Sequence, residues 1–282
     1  MKVAITGGSG FIGRKLVNAL IKQGHSVKVL TRKKETEKVI NDAADLYIGD
    51  LLDDQFVLDD FIEGVDIIYH CAGTLQGNDH IFETNVLGTK RLLEAVSGKL
   101  KHWVQLSSIG VYGKYKEGIV TEENIISPSG LYEETKAEAD KLVIEKSKEG
   151  NFTYSVLRPS NVYGNDMVNQ SLFQMIGLIN KKVFFYIGDK QAIVNYIHVN
   201  NVVESLILCG IQKEAKDAIF NISDYIKLET IVNIIAKKLN KRNPILILPK
   251  SMLTLIASIG VNWEKWPLTL PRIDALTNCI FI

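Results

Sequence analysis

Short β-branched and apolar runs alternate with longer stretches of helical period along this chain of 282 residues. Residues 2–6, 26–31, 45–48, 66–70, 102–107, 153–157 and 218–222 read as strands bounded by turn residues. Residues 11–23, 55–62, 80–97, 131–148, 169–180, 200–212 and 228–239 repeat apolar positions every three or four residues, as helices with one buried face do. Gly24 and Gly150 follow two of these runs and read as C-caps. The alternation predicts an α/β protein, a Rossmann-type doubly wound parallel sheet with helices on both faces. Beyond about residue 165 the rhythm breaks up, and Pro244, Pro249, Pro267 and Pro271 crowd the C-terminal stretch. Residues 1–165, with 195–222 returning to them, therefore read as one domain, and 166–194 with 223–282 as a small second lobe.

Composition narrows the function. A net charge of +1 leaves no basic field for nucleic acid. The basic clusters TRKK (31–34) and KKLNKR (237–242) read as solvated faces, Arg32 apart. Cys71, Cys209 and Cys279 have no disulfide or metal spacing, which fits a reducing, cytoplasmic setting. The N-terminal apolar stretch runs straight into glycines, unlike a signal peptide. SMLTLIASIGV (251–261) is too short for a bilayer and reads as a buried helix or pocket wall. No membrane, nucleic-acid or metal partner is expected.

The first candidate chemistry is TGGSGFIG (6–13), between the first strand and first helix. Gly7 suits a tight turn, Gly10 the close approach of a pyrophosphate, and Gly13 close packing of helix on strand, with Ser9, Phe11 and Ile12 completing the turn. The helix N-terminus adds free N–H groups and the positive end of its dipole. The second strand ends in Thr31–Arg32 with no acidic residue to bind a ribose 2′-hydroxyl. Arg32 reads as a partner for the 2′-phosphate of NADP, favoured over NAD, or as a surface cation. Asp50 in GDLLD (49–53) reads as a partner for the adenine amine or as a turn aspartate, with Leu51 beside it.

Three segments fit Tyr-x-x-x-Lys: Tyr112/Lys116, Tyr186/Lys190 and Tyr132/Lys136. Only the last lies in a run of good helical period, where i and i+4 share a face. There a lysine ammonium is expected to lower the phenol's pKa, making Tyr132 a general acid or base, with Lys136 also reaching a nicotinamide ribose. Ser107 and Ser108 stand at a strand end on the same sheet edge as the glycine turn and could hold the reacting oxygen. His70 and His198 read as structural, and Trp103, Trp263 and Trp266 as packing residues.

These residues resemble the extended short-chain dehydrogenase/reductase superfamily, in its NAD-dependent epimerase/dehydratase branch. The resemblance rests on TGGSGFIG, GDL, HCAG (70–73), NVLGT (85–89), SSIGVYG (107–113), YEETK (132–136), LRPSNVYG (157–164) and YIHVNNVV (196–203). It implies that Ser108, Tyr132 and Lys136 are catalytic. Asn85 supports the active-site helix, Ala72, Gly73 and Ser107 line the cofactor, and Asn161 faces the substrate. It further implies a nucleotide-sugar substrate bound by the C-terminal lobe, and a homodimer formed through the helices near 80–97 and 131–148. The reaction expected is NAD(P)-dependent epimerisation or oxidoreduction of a hydroxyl or ketone. An NADP-dependent ketone reductase and a non-catalytic dinucleotide sensor are the alternatives. Three features depart from the family pattern. Asn201 stands where an aspartate is common. Ile109 and Gly110 replace the acid pair of the dehydratases, which argues against 4,6-dehydration. The chain ends at LTNCIFI, where members continue, which implies an incomplete substrate lobe.

Overall fold

The computed structural model describes residues 1–32, 40–52, 58–75, 78–96, 100–115, 117–150, 152–167, 170–259, 273–274, 276–277 and 279–282. The tryptophans at 263 and 266 and the lysine at 116 lie outside them. Two compact units emerge: residues 1–114, 122–166 and 197–222, and residues 115–121, 167–196 and 223–282.

In chain order the elements begin β1 (Lys2–Thr6), α1 (Phe11–Lys22), β2 (Ser26–Thr31), β3 (Asp45–Ile48), α2 (Leu58–Ile62), β4 (Ile67–His70), α3 (Asn78–Phe82), a π-helical segment Glu83–Leu87, α4 (Gly88–Ala95) and β5 (His102–Leu106). They continue with β6 (Glu117–Ile119), α5 (Leu131–Ser147), β7 (Thr153–Pro159), β8 (Asn161–Tyr163), α6 (Ser171–Asn180), β9 (Tyr186–Ile187), β10 (Ile193–His198), α7 (Val199–Ile211), β11 (Ala218–Ile222), β12 (Asp224–Lys227) and α8 (Leu228–Lys238). Last come β13 (Ile247–Leu248), α9 (Lys250–Ile259) and β14 (Cys279–Phe281).

The first unit holds a seven-stranded sheet of order β11-β7-β5-β4-β1-β2-β3, with every pairing parallel. Successive strand residues face opposite layers, so Val3 and Ile5 pack with Leu16 and Leu20 of α1 and Val202 and Leu206 of α7. Ala4 looks the other way, into a core with Phe61, Leu92, Trp103 and Val143. Both faces are covered, as an all-parallel sheet requires. The chain order reverses between β1 and β4, the place in such sheets where ligands bind beyond the C-terminal ends of the strands. Cys71 N–H donates to Thr6 O there, at 3.2 Å, so the turn after β1 and the loop after β4 lie side by side.

In the second unit α6 and α8 share a core of Met175, Ile179, Leu228, Val232 and Ala236. The strand pairings β10–β12, β9–β13 and β14–β6 complete it. Several of these strands are only two or three residues long, too short to show a period of two in the sequence. The apolar stretch near 251 forms α9, with Leu253 and Ala257 buried and Met252 and Leu255 exposed. Among the described residues, no helix is long and apolar enough to cross a membrane.

Candidate active site

The turn after β1 is built from backbone. Gly7 has φ of +68°, and a Cβ there would stand 2.6 Å from Ala72 N. At Gly13 a Cβ would stand 2.2 Å from Gly7 O, so the first turn of α1 lies directly on the strand-to-helix turn. Gly10, the N-cap of α1, is exposed, and only Gly7 O comes near its missing Cβ, at 3.2 Å. The first N–H groups of α1 have no helical acceptor. Bare backbone, free donors and the dipole's positive end fit a dinucleotide pyrophosphate. Among the flanking residues, Phe11 packs near Gly164 and Leu51 against Gly88.

Arg32 follows β2 at the same sheet edge, since Thr6 pairs with Leu30. Its guanidinium is largely exposed and lies 3.9 Å from Asp50 Oδ2. A contact that long between exposed groups is worth little, so Arg32 keeps its capacity for an anion. Asp50 Oδ1 also accepts from Leu52 N at 3.0 Å, a local turn bond.

Ser108, two residues after β5, has extended backbone and caps the 3₁₀ turn Ile109–Tyr112 by accepting from Gly110 N at 3.1 Å. Its own proton is left for donation. Ser107 differs: its hydroxyl is buried and donates to Asp140 Oδ2 at 2.7 Å. Asp140 thus engages the hydroxyl of Ser107, the serine expected beside the cofactor, while that of Ser108, the serine expected at the reacting oxygen, accepts only from Gly110 N among the described residues.

Tyr132 and Lys136 lie one turn apart on α5. Lys136 is buried, and its Nζ donates to Leu106 O. Burial holds this amine below its ordinary pKa, opposed by the charges of Asp140 and Cys71. The expected lowering of the phenol is not found. Burial pushes Tyr132 up to about 12, and Glu133 and Asp140 add to that. The physical reason is burial first, with the Lys136 ammonium directed at a carbonyl and two carboxylates adding to the rise.

Asn85 sits in the π-helical segment and ties the loop after β4 to α5. Its Oδ1 accepts from Thr74 N at 2.9 Å, and its Nδ2 donates to Thr74 O at 3.2 Å and Thr135 Oγ1 at 3.0 Å. Thr135 Oγ1 in turn donates to Tyr132 O at 2.9 Å. A Cβ at Gly73 would stand 3.3 Å from Asn85 Oδ1 and 4.0 Å from Lys136 Nζ. A second chain of bonds reaches the same asparagine. Thr89 Oγ1 donates to Asn85 O at 2.7 Å, so it can only accept from His70 Nε2, 2.9 Å away. His70 Nδ1 then accepts from Thr6 Oγ1 at 2.7 Å, and Thr6 Oγ1 accepts from Ala72 N at 3.3 Å.

Sequence reasoning missed a buried network behind these residues. Arg158 Nε and Nη2 donate to Asp140 Oδ2 at 3.2 and 3.0 Å, and each side chain is 1% exposed. Arg158 Nη1 donates to Tyr112 OH at 2.7 Å, and Tyr112 OH to Asn221 Oδ1 at 3.2 Å. Asp140 was findable, because it lies four residues after Lys136 and eight after Tyr132, on one helical face. Asp140→Asn should destabilise the fold by about 3–5 kcal/mol, because it leaves the Arg158 charge buried and uncompensated. Urea unfolding checks this, and a loss below about 1 kcal/mol would mean the pair does not hold α5 to β7.

The other candidates fall as follows. Asn161 opens β8 and is exposed, just beyond the end of β7. Tyr186 is buried under Lys190, which pairs with Glu229 at 2.9 Å, so that second tyrosine–lysine pair is structural. His198 caps α7, accepting from Asn200 N, and Trp103 is core. Among the described residues, no group of three or more His, Cys, Asp or Glu could hold a metal.

Residues 3–223 match the model of the NAD dependent epimerase/dehydratase family. A 4-hydroxy-2-methyl-3-oxo-4-farnesyl-3,4-dihydroquinoline-1-oxide ketoreductase of Stigmatella aurantiaca is 30% identical over 217 residues, 74% of this chain and 64% of that protein. The match thus spans less than two thirds of that relative's length. A UDP-glucose 4-epimerase of Lactobacillus helveticus is 27% identical over 250 residues, 83% of this chain and 70% of that one. A solved UDP-glucuronic acid 4-epimerase from Bacillus cereus, in complex with NAD, shares the fold with a TM-score of 0.75 at 22% identity, over 99% of this chain and 97% of that one.

Proposed function

The chain belongs to the NAD-dependent epimerase/dehydratase family, and from that premise we propose that it is an NAD(P)-dependent epimerase or oxidoreductase acting on a hydroxyl or ketone of a nucleotide-sugar-like substrate. The observation that carries this reading is Ser108 and the Tyr132–Lys136 pair at the sheet edge that also bears the glycine turn. Gly7, Gly10 and Gly13 would hold the pyrophosphate against backbone, Lys136 the nicotinamide ribose, and Ser108 the reacting oxygen. Tyr132 would give that oxygen a proton or take one from it. NAD(P), when bound, supplies the hydride chemistry. The likeness to the Lactobacillus helveticus epimerase supports a sugar nucleotide as substrate.

A second reading, a ketone reductase consuming NADPH, is favoured by Arg32 and by the Stigmatella aurantiaca ketoreductase. Calorimetric titration of the nucleotide-free protein with NAD, NADH, NADP and NADPH tests both. If Arg32 reads the 2′-phosphate, Arg32→Ala should weaken NADP(H) binding about ten- to 150-fold and leave NAD(H) unchanged, since a hydrogen bond to a charged group is worth about 1.5–3 kcal/mol. A preference for NAD(H) indifferent to Arg32 would retire that role and favour the epimerase. No binding of any of the four would sink the enzymatic reading.

A further inference from the structure

The basic cluster KKLNKR (237–242) has no part in the proposed site, and its surroundings in the second unit give it another use. Residues 230–259 contain no aspartate or glutamate, while Lys237, Lys238, Lys241, Arg242 and Lys250 all fall among them. The chain's net charge of +1 hides this, because its acids lie elsewhere. Lys237 and Lys238 close the last turn of α8, where cations suit the negative end of the dipole. Lys241 and Arg242 lie beyond the helix, so that explanation does not reach them. Among the described residues, Lys250 alone of the five has an ion-pair partner, Asp274 at 3.2 Å.

Large apolar side chains stand exposed in the same stretch. Ile245 is 81% exposed and Leu246 56%. Ile245 comes three residues after Arg242, so their Cα atoms are at most about 11 Å apart. Ile234, 50% exposed, lies three and four residues before Lys237 and Lys238 and shares their face of α8. On α9, Leu253 and Ala257 turn to a core with Ile187 and Ile273, while Met252 and Leu255, three residues apart, are exposed on another face. The backbone beneath is fixed: Tyr186 N–H donates to Leu246 O at 2.8 Å and Gly188 N–H to Leu248 O at 2.9 Å. One exposed leucine means little, but exposed apolar side chains interleaved with cations and no acid are the composition of a segment that meets an anionic lipid surface.

We propose that residues 234–255 form a membrane-docking surface that seats this protein on an anionic bilayer, with Lys237, Lys238, Lys241 and Arg242 against lipid headgroups and Ile245 and Leu246 at the acyl boundary. The protein lies on the bilayer without spanning it, since among the described residues no helix is long and apolar enough to cross. Other occupants fit less well. A nucleic acid would use the cations and leave the apolar side chains in water. A second copy of this chain, packed through the same surface, would set the cations against themselves.

The test is co-sedimentation of the full chain with vesicles of phosphatidylcholine alone and of equal parts phosphatidylcholine and phosphatidylserine. Wild type should pellet with the anionic vesicles, stay in solution with the neutral ones, and be released by added salt. Lys241→Gln/Arg242→Gln should weaken binding roughly thirtyfold, about fivefold for each charge near an anionic surface. Ile245→Ser/Leu246→Ser should weaken it about tenfold or more. None of these four positions belongs to the core, so both variants should unfold at the wild-type denaturant midpoint. Wild type left in solution with the anionic vesicles would overturn the proposal. Binding lost in the charge variant and kept in Ile245→Ser/Leu246→Ser would overturn it too, reducing the surface to a patch for any polyanion. So would a wild-type dimer in sedimentation equilibrium that the apolar variant dissolves, since a second copy would then occupy the surface.

Discussion

Replacing Tyr132 with phenylalanine is expected to lower turnover about 10²- to 10⁴-fold, the usual contribution of a positioned acid or base. The substitution keeps the ring, so α5 and its bonds from Thr135 should survive. The Thr135 hydroxyl bonds the Tyr132 carbonyl, which the variant retains. Dinucleotide binding should be nearly unchanged, because the turn after β1 is made of backbone. Ser108 would still hold the oxygen, but no proton would cross to it. Under the proposed function, the assay is epimerisation of a nucleotide sugar with NAD, alongside NADPH consumption with a ketone. Undiminished turnover in the variant would remove Tyr132 from the chemistry.

Acid should unfold this protein early. His70 and His102 are buried between hydroxyls: His70 between Thr6 and Thr89, His102 between Thr153 and Ser155. Burial lowers His70 from 6.5 to about 3 and His102 from 6.5 to about 4. The unfolded chain binds these protons more readily than the folded one. The stability they carry is complete above about pH 6.5 and drains as pH falls toward 4 for both, then toward 3 for His70. Each histidine costs up to about 1.4 kcal/mol per pH unit, so the pair removes at most roughly 7 kcal/mol by about pH 4. That is comparable with the whole stability of an ordinary domain, about 5–15 kcal/mol. Denaturant midpoints measured near neutrality and near pH 5 check the slope, and a flat profile across that interval would contradict it.

Much of the site could be read from the chain because it is made by backbone and by helical period. Glycines at 7, 10 and 13 have few uses other than close approach, and each lies against backbone or open space as that demands. The run from Leu131 to Ser147 puts Tyr132 and Lys136 on one face by geometry alone. What sequence reasoning could not see is direction. Nothing in the order of residues says that Lys136 bonds Leu106 O, or that Ser107 turns to Asp140 while the next serine does not. Asp140, within EADK, looks like one more solvated acid, and only the arrival of Arg158 from β7 shows otherwise. Glu133 likewise looks like a helix-start charge until Gly110 and Gly130 are seen to make room for it. The predicted helix 80–97 is interrupted by a wider turn that carries Asn85, with no breaker residue to announce it.

That wider turn has a meaning in length. A π segment closes its bonds five residues apart instead of four, so it carries a residue more than an α-helix of the same rise would hold. Delete one position between Glu83 and Leu87 and the stretch can wind as ordinary α-helix. The helix on either side then stays nearly in phase, and it is the residues of the wide turn itself that change direction. Asn85 would leave Thr74 and Thr135 without any change in its own chemistry. The loop after β4 and the helix bearing Tyr132 are held in register by a surplus residue, a matter of counting that no substitution could supply.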